Sequence, residues 1–78
     1  MWFAYALRSD KDGGLYIGMA SDIEKRVKEH NSGYNQSTRS RVPFRVIYTE
    51  QCASRSEARE REKYLKSGKG RDFLKSRC

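Results

Sequence analysis

The chain has 78 residues and a mass of 9.1 kDa, which allows one small domain over 1–78 whose core is thin, since such a chain buries only about 60% of its unfolded surface. Hydrophobic residues make up 36% and charged residues 35%, a polar balance, but nine aromatics (Trp2, Phe3, Tyr5, Tyr16, Tyr34, Phe44, Tyr48, Tyr64 and Phe73) argue against disorder. Seventeen Lys and Arg against ten Asp and Glu leave a net charge of +7, so a polyanion is the expected partner, nucleic acid ahead of an anionic membrane surface.

The N-terminal run Trp2–Leu7 is apolar, aromatic and short, as a strand should be. It has neither the basic start nor the small-residue cleavage site of a secretory signal, and no apolar run approaches the roughly 18 residues of a membrane span. Ser9-Asp10-Lys11-Asp12-Gly13-Gly14 reads as a turn, and Leu15–Met19 as the second strand of a hairpin. Ser21 or Asp22 caps a helix with Glu24 in its first turn. Ile23 and Val27 share one face of it, Arg26 and His30 an adjacent stripe, and Gly33 stops it.

Residues 34–42, YNQSTRSRV, are polar and basic without a period and predict an exposed, mobile loop. Pro43 opens a third strand from Phe44 to Glu50, in which Phe44, Val46 and Tyr48 alternate with Arg45, Ile47 and Thr49. Ser54-Arg55-Ser56-Glu57 is a capping box, followed by a helix to about Ser67. Gly68 and Gly70 are expected to break that helix, leaving Arg71–Ser76 for a last short turn. The order β-β-α-β-α-(α) predicts an α+β domain with a three-stranded, mainly antiparallel sheet and flanking helices.

The second helix places a carboxylate among apolar residues. Ala58 and Leu65 mark its inward stripe, and Glu62 stands on the same face, four after one and three before the other. An inward carboxylate is costly unless paired. It is therefore either half of an ion pair with one of the arginines, or a metal ligand or acid/base group facing a cleft. Cys52 and Cys78 are too few for a disulfide framework, and one histidine with two cysteines excludes a four-ligand zinc site. Both read as free thiols, which points to a reducing cytoplasm.

Tyr5 and Tyr16 lie on the two hairpin strands, Arg26 and His30 on one helix face, and Glu62 on the next helix. This set resembles the GIY-YIG nucleases. Leu15-Tyr16-Ile17-Gly18 carries the complete second tripeptide, while Phe3-Ala4-Tyr5 keeps only the tyrosine of the first. The tyrosines are eleven apart, Arg26 follows Tyr16 by ten, His30 follows by four more, and Glu-Ala-Arg-Glu-Arg-Glu ends on Glu62. The match covers nearly the whole chain and is nearest to the small stand-alone bacterial members, whose domain also occurs in the incision subunit of excision repair. Residues 68–78 lack the Asn that many members carry there, and Met19 stands where many relatives have Thr or Lys.

The resemblance implies a Mg²⁺- or Mn²⁺-dependent endonuclease acting on DNA, in repair or processing. Glu62 would hold the metal, whose shell the phosphate completes, and Arg26 would clamp phosphate oxygens. One tyrosine would deprotonate the water, with Tyr5 preferred, relayed to His30, and Tyr16 as positioner. A phenol near pKa 10 serves as a base only if cations lower it, a task for Arg26, His30 and the metal together. Arg39, Arg41, Lys63, Lys66, Lys69 and Arg71 are the expected phosphate contacts, with Gln36, Ser37 and Thr38 as hydrogen-bond donors. Such contacts carry little sequence information. One active site cuts a duplex only in two visits or as a dimer. Two other readings stay open: a feebly active or inactive nucleic-acid-binding module on the same fold, and an interaction domain whose charge only solubilises it.

Overall fold

The computed structural model describes residues 1–33 and 39–76. The elements are β1 (Trp2–Ser9), β2 (Leu15–Ala20), α1 (Ile23–Asn31), a 3-10 turn (Arg39–Arg41), β3 (Phe44–Cys52), α2 (Arg55–Lys66) and α3 (Gly68–Ser76). The sheet runs β2-β1-β3, antiparallel throughout. Among the described residues, no helix is long and apolar enough to cross a membrane.

The central strand alternates between two layers, because successive side chains point to opposite faces. Tyr5 and Leu7 pack with Tyr16, Ile23 and Val27 under α1. Ala4 and Ala6 pack with Ile17, Leu65 and Leu74 under α2 and α3. The two alanines are fully buried, and their small size lets α2 sit close to β1. Full burial of Leu65 and of Leu74 contributes roughly 1.5–3 kcal/mol each.

Local chemistry sets the element ends. The Asp22 carboxylate accepts from Lys25 N at 3.1 Å and caps α1, and Gly33, with φ of 79°, follows its end. Ser54 Oγ accepts from Glu57 N at 3.2 Å, while the Glu57 carboxylate reaches back to Ala53 N at 3.3 Å. Buried Ser9 organises the hairpin turn: its Oγ accepts from Lys11 N and Asp12 N and donates to the Arg41 carbonyl at 2.5 Å.

The structure departs from the sequence expectation in three places. First, α3 begins at Gly68, not Arg71. Ser67 Oγ accepts from Gly70 N at 3.2 Å and restarts the helix at once. Gly70 is buried, and a Cβ there would run into the Tyr64 carbonyl, so it is a packing residue rather than a breaker. Second, β3 extends to Cys52, and a bulge between Ala6 and Leu7 breaks its alternation. Ala6 pairs with Tyr48 and Leu7 with Val46; the extra residue, Ile47, joins Tyr48 against the α2/α3 layer. Val46 is left exposed.

Third, the segment before β3 is tied down where it is described. Arg41 Nε meets Asp12 Oδ2 at 3.1 Å, and its guanidinium lies 5.4 Å from the Phe44 ring centre. Asn31 then clamps the start of β3, its amide donating to the Phe44 carbonyl at 3.0 Å and accepting from Phe44 N at 2.6 Å. Gln36, Ser37, Thr38 and Cys78 lie outside the described residues. Cys52 is a buried thiol, and burial raises its pKa.

Candidate active site

Tyr5 is the centre of the site. In the ladder it stands opposite Gly18, and its ring lies across that glycine. A Cβ at Gly18 would come within 2.7 Å of the Tyr5 hydroxyl oxygen and 2.9 Å of the ring carbon bearing it. The glycine of Tyr16-Ile17-Gly18 is therefore a steric requirement of Tyr5: any side chain there displaces the phenol. Tyr5 is only 2% exposed. Burial first, then the neighbouring Tyr16 hydroxyl, pushes its pKa up to about 12, against the pull of the Arg26 guanidinium. Glu62 and Glu29 add to the rise. Tyr5 thus has Tyr16, Arg26 and Glu62 in electrostatic reach, from β2, α1 and α2 respectively.

His30 is placed differently. It is buried, with its ring 4.6 Å from that of Tyr16 in an edge-on contact and 6.1 Å from that of Phe44. Burial, helped by Arg26, holds its pKa below the usual 6.5. The imidazole is thereby biased towards its uncharged form, which counts against a role as a cation that lowers a tyrosine pKa. Its ring partner in the site is Tyr16, so Tyr16 is the residue that meets both Tyr5 and His30.

Glu62 is 7% exposed, on the buried face of α2 with Ala58 and Leu65. Its Oε1 meets Arg59 Nη1 at 3.1 Å and its Oε2 meets Lys66 Nζ at 3.2 Å. The ion pair and the cleft-facing acid, alternatives in the sequence, coexist. The side chains of Arg59 and Lys66 are 59% and 51% exposed, so both are free to swing outward. Next to Glu62, Arg61 forks onto the Glu50 carboxylate, which also accepts from Tyr48 Oη at 2.7 Å. Burial opposes ionisation of Glu50, but the Arg61 and Tyr48 hydrogen bonds outweigh it and hold its pKa low. This fork ties α2 to β3 and fixes which face of α2 Glu62 presents.

Arg26 is exposed and lines a cleft of about 280 Å³ with Trp2, Ala20, Asp22 and Glu29. Among the expected phosphate contacts, Lys63 and Lys69 are exposed, Lys66 is engaged by Glu62, and Arg71 Nε donates to the Lys66 carbonyl at 3.3 Å. Arg41 is held by Asp12 and Phe44. Arg39 opens the 3-10 turn, and its side chain lies outside what is described. Among the described residues no three His, Cys, Asp or Glu side chains gather into a metal cage.

A family profile described as the GIY-YIG catalytic domain matches residues 1–75. The chain belongs to the GIY-YIG family. It is 43% identical over 67 residues to a UPF0213 protein of Desulfotalea psychrophila, covering 83% of this chain and 60% of that protein. To a UPF0213 protein of Staphylococcus saprophyticus it is 45% identical over 58 residues, covering 73% and 71%. The chain thus spans somewhat under two thirds of the first relative's length. The solution NMR structure of the UPF0213 protein BH0048 from Bacillus halodurans is similar across 97% of this chain and 84% of that one, with 35% identity and a TM-score of 0.57.

GIY-YIG proteins are a nuclease family, and the fold accounts for the alanine of the first tripeptide. Ala4 points away from Tyr5 into the α2/α3 layer and is fully buried, so that position serves packing. The residues that sequence reasoning passed over are Arg59 as a partner of Glu62, Asn31 as the clamp on β3, and Trp2 beside Arg26. A signal existed for the first: Arg59 and Lys66 lie three before and four after Glu62, the helical spacing for ion pairs.

Proposed function

We infer that the chain is a Mg²⁺- or Mn²⁺-dependent endonuclease that hydrolyses phosphodiester bonds of DNA with weak sequence preference, in DNA repair or processing. The observation that carries the reading is Tyr5 lying across Gly18 with Tyr16, Arg26 and Glu62 in electrostatic reach. Four elements, β1, β2, α1 and α2, supply two phenols, a guanidinium and a buried carboxylate that share one electrostatic neighbourhood.

The donor set suits a hard cation only in part. One carboxylate is too little for a protein cage, and both its oxygens carry cations from its own helix. It suits a cation shared with substrate, because Mg²⁺ keeps several waters and takes phosphate oxygens readily. Glu62 would hold that ion, which stabilises the charge developing on the leaving 3′ oxygen when bound. Arg26 grips the non-bridging oxygens from the cleft side. Tyr5 Oη, once ionised with substrate-bound cations in place, would take a proton from the attacking water as the water oxygen bonds to phosphorus; the P–O3′ bond then breaks and the 3′ oxygen takes a proton from a solvent water. Tyr16, braced by the His30 ring, keeps water and phosphate in line. With its pKa at about 12, Tyr5 ionised at pH 7 would cost roughly 7 kcal/mol. Substrate-bound cations must offset that cost, which makes the free protein inert.

Nicking of supercoiled and branched DNA, with Mg²⁺, with Mn²⁺ and with chelator, tests this. Metal-dependent nicking is expected, with Tyr5→Phe reduced by at least 100-fold. Salt-sensitive DNA retention without nicking in either metal would instead establish the binding module. Undiminished nicking in chelator would remove the metal from the account.

A further inference from the structure

Trp2 belongs to neither core cluster, although it is the single tryptophan of the chain and opens the central strand. It is half-buried at the end of the sheet where β2 passes into α1. On one side it lines the cleft that contains Lys25 and Arg26. The Arg55 guanidinium lies 5.7 Å from its ring centre, and Arg55 in turn lines a second cleft, about 420 Å³, with Met19, Ser56, Arg59 and Glu60. The indole therefore lines the cleft of Arg26 and, through the Arg55 guanidinium over its ring, adjoins a second cleft that contains the Arg59 paired with Glu62.

We propose that Trp2 is a stacking platform for an unpaired nucleobase of the DNA strand, adjoining the phosphate gripped by Arg26. An aromatic face accepts any base, and cations on either side neutralise the flanking phosphates. Asp22 and Glu29 also line the first cleft and Glu60 the second, so neither is a bare anion trap. The Asp22 carboxylate is spent on the α1 cap. The base contact, not charge alone, then selects the ligand. A paired base is already stacked within its duplex and is not free to lie on the indole. The site is thereby assigned to single-stranded or flapped DNA next to the cut, a substrate class that rests on the nuclease reading above.

The test uses the full chain in chelator, so that nothing is cut. Trp2 fluorescence is followed while oligo(dT), a blunt duplex of equal length and an abasic oligonucleotide are added. Oligo(dT) is expected to quench Trp2, and the abasic strand to bind without quenching. Labelled oligo(dT) should bind Trp2→Ala about 10-fold or more weakly, and Trp2→Phe close to wild type, because a phenyl ring still stacks. Circular dichroism of both variants separates lost stacking from lost fold, with Trp2→Phe carrying the test if Trp2→Ala unfolds. Equal quenching by abasic and dT strands, or a Trp2→Phe variant as weak as a misfolded one, overturns the proposal. Retention of all three DNAs without a base-dependent quench sinks the stacking alone. Retention of none sinks the nucleic-acid reading with it.

Discussion

Burial favours the neutral forms of both Tyr5 and His30, and the two shifts have opposite consequences for stability. The Tyr5 hydroxyl ionises near 12 in the folded chain and near 10.0 when exposed. As pH rises from 10 towards 12 the unfolded chain loses this proton first, so the folded state is destabilised across that window by roughly 2–3 kcal/mol. Tyr5→Phe should lack that alkaline loss, read as the difference in urea midpoint between about pH 9 and pH 12. His30 is shifted down, so its contribution is intact above 6.5 and is lost as pH falls below that value. A His30→Phe variant should show a flatter stability profile between about pH 7 and pH 5. Lys66→Met should raise Mn²⁺ affinity measured without DNA, because it uncovers one Glu62 oxygen, while weakening DNA retention. The tyrosines, Arg26, His30 and Glu62 are all legible as residue types at their spacing. The directions of the Tyr5 and His30 pKa shifts are not, because burial of these two depends on how two layers close over β1 and β2.

At the α2–α3 junction, Gly68 and Gly70, two positions apart and alike in sequence, have different jobs. Gly68 has open space around its missing Cβ, and Gly70 is pressed on the Tyr64 carbonyl and the Leu65 backbone. Gly68→Ala should leave thermal stability unchanged or raise it by about 0.4–1 kcal/mol, by restricting the unfolded chain. Gly70→Ala should cost about 1–3 kcal/mol through forced separation of the helices. Similar costs for both would contradict the packing described. Hairpin, caps and helix α2 are readable from local signals such as Asp22, Ser54 and Gly33. The Ile47 bulge and the start of α3 are not, because each answers to a partner distant in the chain or just across a helix junction. Arg41 is the same case: a basic letter among polar ones reads as a free phosphate contact, until Asp12 and Phe44 arrive beside it from the hairpin and β3.

The whole molecule measures 30 × 25 × 17 Å, so its longest dimension covers roughly nine base-pair steps. Its net charge of +7 is concentrated in residues 54–78, where nine basic side chains face four acidic ones. Phosphate contacts should therefore dominate, with little room for base readers along a duplex. If about four phosphates are neutralised, affinity should fall about 100-fold between 50 and 200 mM salt, as read by filter retention of a labelled oligonucleotide. A flat response would favour a protein-interaction role. The central claim is that Glu62, on the buried face of α2 and acting electrostatically on Tyr5, is the acid on which strand cleavage depends. Single-turnover cleavage by Glu62→Gln, with DNA affinity measured on the same sample, tests it most directly. Cleavage should fall by at least 1,000-fold while affinity stays within a few-fold of wild type; a variant that cuts as fast as the parent contradicts the account.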